Sequence, residues 1–208
     1  MGAINETELK RQLSQGQLSS LYVVRGEEKY LVSRWARRIL KAAGGDSFPE
    51  FNRNELGSSA TVDAIADAAE ALPFFSDHKC VSVPDWDPEL QDATELSKLQ
   101  ELLENLPETT TLVFWYPTQE PDGRKAKVKN LWKWASQYGQ VLECRRRDLS
   151  ELRKVLLREA EKAGCSLSRE NAGKILEYAG LDLHLLLSEM QKLCAYALGT
   201  AGEAPASP

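Results

Sequence analysis

Apolar positions follow two rhythms over the first two thirds of the chain and one rhythm thereafter. Leu21-Tyr22-Val23-Val24, Lys79-Cys80-Val81-Ser82-Val83, Thr111-Leu112-Val113-Phe114-Trp115-Tyr116 and Val141-Leu142-Glu143-Cys144 are short apolar runs. Such runs predict strands covered on both faces. A weaker strand is predicted near Glu50 to Asn54. Between the runs, apolar residues recur at spacings of three and four, the helical period. Leu9 and Leu13 mark a helix from Glu6 to Gln15, which Asn5 and Glu8 open in the manner of a capping box. Tyr30, Leu31, Trp35, Ile39 and Leu40 mark a second, ended by Gly44-Gly45. Val62, Ile65, Ala66, Ala69 and Leu72 mark a third, stopped by Pro73. Leu96, Leu99, Leu102, Leu103 and Leu106 mark a fourth. Val128, Leu131, Trp132 and Ala135 mark a basic fifth, closed by Gly139.

Beyond Arg147 only the helical rhythm continues. Three stripes are Leu149/Leu152/Val155/Leu156/Ala160, then Ala172/Ile175/Leu176/Ala179 after Ser168, then Leu186/Met190/Leu193/Ala197 after Asp182. Five strands alternating with helices predict an α/β parallel sheet covered by helices, and three successive helices predict a small bundle. The expected domains are 1–144 and 145–199, with a small polar, disordered tail over 200–208.

Composition narrows the class. The 208 residues are 42% hydrophobic and 27% charged, with a formal charge of −5. That excludes collagen, a mucin-like stalk and a disordered acidic tail. No apolar run approaches the ~20 residues that span a bilayer. Met1 to Gln17 is polar, without a signal-peptide segment. A cytoplasmic protein without a membrane partner is expected. Net acidity argues against a free-standing nucleic-acid binder, but the charge is segregated. Eight acidic residues and one lysine lie between Asp85 and Glu108, whereas Arg124, Lys125, Lys127, Lys129, Lys133 and Arg145 to Arg147 follow. These are either solvated helix faces or one side of a complementary interface.

Chemistry is sparse. Cys80, Cys144, Cys165 and Cys194 form no CxxC pair, and His78 and His184 are the only histidines. No metal site, Ser-His-Asp arrangement or cofactor is expected from this inventory. The first strand leads through Gly26 into a helix, the setting of a phosphate loop. Counting from Gly26 along G-x-x-x-x-G-K-[ST], Leu31 occupies the second glycine position and Val32 the lysine position, and only Ser33 fits. Lys29 is misplaced for the motif, and Glu27 and Glu28 repel phosphate. The expectation is a nucleotide-binding scaffold without its chemistry, no catalytic residue and no intrinsic catalysis. An unrelated α/β fold with a turn at Gly26, and an enzyme with an unrecognised nucleotide site, are the alternatives. A nucleic-acid adaptor using the basic helices is a third.

The sharpest segment is Leu72-Pro73-Phe74-Phe75-Ser76-Asp77. Pro73 ejects the chain from its helix, and two adjacent aromatics follow. They either cap the core or present an apolar tip, and burying one Phe stabilises by roughly 1.5–3 kcal/mol. This loop precedes its strand and so lies at the amino edge of the sheet. Gly26 follows its strand and lies at the carboxyl edge.

The order Leu21 to Leu31, Leu72 to Phe75 before Lys79 to Val83, Thr111 to Tyr116, Val141 to Cys144 and Leu186 to Leu193 resembles the delta-subunit family of the bacterial DNA polymerase III clamp loader. The likeness covers about Leu18 to Leu198. It implies an AAA+-like fold, RecA-like in its first domain, with a three-helix lid. It implies a non-catalytic subunit of the DNA-directed polymerase III holoenzyme that grips the ring-shaped beta sliding clamp and holds it open, without hydrolysing ATP. The family's clamp-binding tip maps onto Leu72, Phe74 and Phe75. Its other implied partners are the motor and delta-prime subunits, and DNA through the assembled complex. Family members carry a third, helical collar domain, so a longer natural chain is expected.

Overall fold

The structure is a computed structural model that describes residues 2–45 and 48–201. Its first strand, β1 (Gly2–Ile4), is followed by α1 (Glu6–Ser14), β2 (Leu21–Arg25) and α2 (Lys29–Gly44). Next come the short α3 (Pro49–Asn52), β3 (Arg53–Glu55), α4 (Val62–Glu70) and β4 (Lys79–Pro84). After a 3₁₀ turn at Pro88–Leu90 follow α5 (Ala93–Glu104), β5 (Thr110–Trp115), α6 (Ala126–Tyr138) and β6 (Gln140–Glu143). Three helices complete the described residues: α7 (Leu149–Lys162), α8 (Arg169–Ala179) and α9 (Leu183–Ala201). The chain divides into two compact units at Arg145/Arg146.

In the first unit the described strands form one parallel sheet in the order β1-β6-β2-β5-β4-β3. The expected count of five strands becomes six, because Gly2–Ile4 pairs with Gln140–Leu142. A three-residue strand containing a glycine carries no apolar run, so only the edge of β6 makes it a strand. The segment near Glu50 to Asn54 is also different from expectation. Pro49 starts a short helix there, as proline's fixed φ favours at a helix start, and the strand begins at Arg53.

The pleat divides the sheet's side chains by alternation. Leu21, Val23, Val81, Val83, Leu112 and Phe114 form one core with Val62 and Ile65 of α4, Leu99 and Leu103 of α5, and Leu131 of α6. On the other face the Cys80 thiol donates to the Leu40 carbonyl of α2 at 3.4 Å. The Trp35 indole of α2 donates to Glu6 of α1 at 3.0 Å, which ties these two helices together.

In the second unit, Asp148 and Glu151 form a reciprocal capping box on α7. Ser168 caps α8, and Asp182 accepts from the Leu185 amide at 2.7 Å. Leu152, Leu156, Ala172, Leu176, Leu186, Met190 and Cys194 are buried. Leu149 and Leu193, expected on the inward stripes, are about half exposed. Helix α9 runs past Gly199, and the remainder of the expected tail, 202–208, lies outside the described residues. Among the described residues no helix is long and apolar enough to cross a membrane.

Candidate functional site

The apolar tip is assembled by the end of α4 and the segments that lead into β3 and β4. Helix α4 stops at Glu70, two residues before the position expected, and its last carbonyls find side-chain partners. Lys79 Nζ donates to the Ala68 carbonyl at 2.6 Å, and Thr110 Oγ1 donates to the Ala69 carbonyl at 2.8 Å. Both side chains are buried, and burial lowers the Lys79 pKa. With the helix end satisfied in this way, the chain leaves at Ala71 in an extended conformation. Leu72, expected on the inward face of the helix, is therefore 86% exposed.

Phe74 and Phe75 follow, 43% and 79% exposed. The backbone of Phe74 is gripped from both sides by the fully buried Asn52. Phe74 N–H donates to Asn52 Oδ1 at 2.7 Å, and Asn52 Nδ2 donates to the Phe74 carbonyl at 2.9 Å. This side-chain amide imitates a strand neighbour. Below the tip, Ser76 Oγ bonds both the amide and the carbonyl of His78. The His78 ring meets Thr111 Oγ1 at 3.1 Å. Burial lowers the His78 pKa.

Two further aromatics complete the patch, and the sequence reading missed them. Phe48 and Phe51 are 47% and 54% exposed. Their rings approach Phe74 at centroid distances of 5.8 and 4.7 Å, and Phe74 meets Phe75 edge-to-face at 4.6 Å. Such contacts fix ring positions. Phe48 and Phe75 both have left-handed backbones, with φ of 49° and 45°. A bulky residue there carries strain, which concentrates at functional sites. The signal that was available is Pro49 at a helix start with Phe48 and Phe51 spaced three apart.

At the opposite edge, the phosphate-loop positions are occupied by the protein's own groups. Gly26 has φ 131°, and a Cβ there would lie 2.3 Å from the Cys144 carbonyl oxygen. Its amide donates to Glu120 Oε2 at 2.9 Å, while Glu120 Oε1 holds Arg25 at 2.7 Å. Lys29 Nζ donates to the Tyr116 carbonyl at 3.0 Å. Ser33 is half-buried one turn into α2. Gly26, Lys29 and Ser33 are thus near one another along the chain, but the Gly26 amide and the Lys29 ammonium are already bonded within the protein. Glu120, 94 residues from Gly26, left no signal in the sequence.

The segregated charges partly meet within the fold. Lys125 approaches Glu89 at 3.8 Å, Lys127 donates to the Gln91 carbonyl at 2.5 Å, and Lys98 bridges Asp63 and Glu95. Arg124 pairs with Asp122, and Arg145 with Glu143. Of the cysteines, Cys80, Cys144 and Cys194 are buried, and burial pushes the Cys80 thiol up to about 11.

Residues 22–145, more than half of the chain, match the family described as DNA polymerase III, delta subunit. The DNA polymerase III subunit delta of Bacillus subtilis (strain 168) is 24% identical over 194 residues, which are 89% of this chain and 54% of that protein. The solved structure of the Bacillus subtilis DNA clamp loader delta protein has a TM-score of 0.70 at 20% identity, over 92% of this chain and 57% of that one. A mutant RuvB of Thermotoga maritima has a TM-score of 0.53 at 14% identity, over 94% of this chain and 61% of that one. The chain therefore spans somewhat over half the length of the delta proteins it matches, and its fold is AAA+-like. Taken with a parallel sheet of the same type, the match over residues 22–145 establishes that the chain belongs to the DNA polymerase III delta subunit family.

Proposed function

We propose that this chain is the clamp-gripping part of a clamp-loader delta subunit, which binds the ring-shaped beta sliding clamp and helps hold it open for loading onto DNA. The observation that carries this reading is the exposed apolar tip, Leu72, Phe74 and Phe75, whose Phe74 backbone is held by Asn52 at the amino edge of the sheet. Isolated exposed apolar residues are ordinary, but a contiguous, strained and hydrogen-bonded aromatic cluster marks a partner site. Phe48 and Phe51 extend the same contact surface.

The physical mechanism is a population shift. A subunit that binds the opened ring more tightly than the closed ring stabilises opening by that difference alone. Aromatic burial at the tip supplies the anchor. One buried Phe is worth roughly 1.5–3 kcal/mol, so Phe74 and Phe75 together give a gross ~3–6 kcal/mol, and further contacts are needed for a stable complex. ATP hydrolysis belongs to neighbouring motor subunits in this reading. Here Leu31 and Val32 replace the working glycine and lysine, and Glu120 already accepts from the Gly26 amide. The motor and delta-prime subunits are the other partners, DNA is met in the assembled complex, and the setting is the cytoplasm.

The test is calorimetric titration of the chain with its cognate sliding clamp. Phe74→Ala combined with Phe75→Ala is expected to abolish binding while circular dichroism stays unchanged. Undiminished affinity overturns the site. Micromolar, magnesium-dependent binding of a fluorescent ATP analogue overturns the inactive phosphate loop.

A further inference from the structure

Helix α2 carries a cationic stripe that the clamp-gripping role does not use. Its buried side presents Leu31, Val32, Trp35, Ala36, Ile39 and Ala43 to the core. Arg34, Arg37, Arg38 and Lys41 stand on the other side, all exposed. At 100° per residue they fall within one narrow arc. Lys29 to Gly44 contains no acidic residue. Among the described residues none of the four has a carboxylate within ion-pair distance, whereas Arg25, Lys98, Lys125 and Arg145 all do. Arg38 is held instead against the Trp35 ring, 4.9 Å from its centroid, which positions the guanidinium without neutralising it. Like charges at spacings of three and four repel. Only Lys41 lies in the last turn, where the helix dipole favours a cation. Helix stability therefore does not account for the row.

We propose that this face of α2 binds the phosphodiester backbone of duplex DNA. The row from Arg34 to Lys41 extends about 10 Å, against a duplex that carries one negative charge per ~1.7 Å of axis. Three of the four cations are arginines, whose planar forks suit phosphate oxygens. The basic helix that the sequence singled out is less available. On α6, Lys127 is spent on the Gln91 carbonyl, and the preceding Lys125 reaches Glu89. The segment after α2 leads to Phe48, so the Lys41 end of the stripe approaches the sheet edge that carries the aromatic tip. This contact does not depend on the tip's assignment to the clamp.

Fluorescence anisotropy of the 208-residue chain on a labelled duplex, across about 50 to 200 mM salt, tests it. Four neutralised phosphates predict a log–log salt slope near −3.6 and about a hundredfold weakening over that range. Changing Arg34, Arg37, Arg38 and Lys41 together to Gln, a good helix former, is expected to remove most of that slope with an unchanged helical spectrum. Changing the three arginines to Lys is expected to keep it. Lys129→Gln with Lys133→Gln is expected to leave it intact. Absence of duplex binding by the parent chain at low salt overturns the proposal. So does a salt slope that survives the four-Gln change, or equal loss from the Lys129/Lys133 pair. Polyglutamate binding as tightly as the duplex reassigns the stripe to an acidic protein and likewise overturns it.

Discussion

Asn52 is the residue whose replacement separates the shape of the tip from its chemistry. It is fully buried, and its amide makes both backbone hydrogen bonds to Phe74. Asn52→Ala removes two bonds, each worth about 1 kcal/mol net, and leaves the Phe74 N–H and C=O without partners. An unsatisfied buried group costs about 1–3 kcal/mol, but the half-exposed Phe74 lets water recover part of that. The expected loss is about 2–4 kcal/mol. At a urea slope near 2 kcal/mol per molar, that is a midpoint shift of about 1–2 M if the tip unfolds with its domain. If the tip opens alone, the same loss appears as faster hydrogen exchange of the Phe74 amide. Asn52→Asp keeps an acceptor, but it lacks a donor for the Phe74 carbonyl and buries a charge, so it is expected to be worse than alanine. Both variants retain Phe74 and Phe75, yet both are expected to weaken clamp binding at least about tenfold, because the tip loses its preorganised shape. An unchanged urea midpoint together with unchanged Phe74 protection would refute the reasoning, and so would aspartate outperforming alanine.

Phe75→Ala alone removes a ring that is 79% exposed, so stability is expected to stay within about 0.5 kcal/mol. Clamp affinity is expected to fall by a factor of 10 or more in the same calorimetric titration. Gly26→Ala places a Cβ against the Cys144 carbonyl at a φ that L-residues avoid. A loss of about 2 kcal/mol or more is expected in thermal or urea unfolding. Cys80 has its thiol pKa raised by burial from near 9 to about 11. The unfolded chain therefore ionises it first, and stability is expected to fall as pH rises from about 9 to 11. Cys80→Ala is expected to flatten that part of the pH–stability curve, whatever its effect at neutral pH. His78 has the opposite sign. Its pKa is lowered by burial, so the neutral ring's contribution is present above the ordinary histidine pKa and is lost as pH falls below it. A steeper decline below that point in the parent than in His78→Gln is the expected readout.

Much of this was legible because it is local. The runs at 21–24, 79–83, 111–116 and 141–144 need only their own side chains to become strands between helices, and each supplies a strand of the sheet, with Tyr116 and Cys144 one residue past the strand end. Asn5, Ser168 and Asp182 each cap an amide three residues ahead, which is short-range geometry. The missing glycine and lysine of the phosphate loop could likewise be read by position. Tertiary structure decided what depends on distant neighbours. Gly2–Ile4 is a strand only because β6 offers an unpaired edge. Glu120 meets Gly26 because the β2 and β5 strands lie side by side. Phe48 and Phe51 join Phe74 because β3 pairs in parallel with β4. Parallel pairing brings the segments that precede two strands to the same edge of a sheet. Two stretches more than 20 residues apart thus form one aromatic patch with Asn52 at its centre. The sequence alone determined that the helix could not run past Pro73 and that two adjacent aromatics follow it, as a core cap or a tip. The sheet determined how large that tip is, what holds it rigid and which edge presents it.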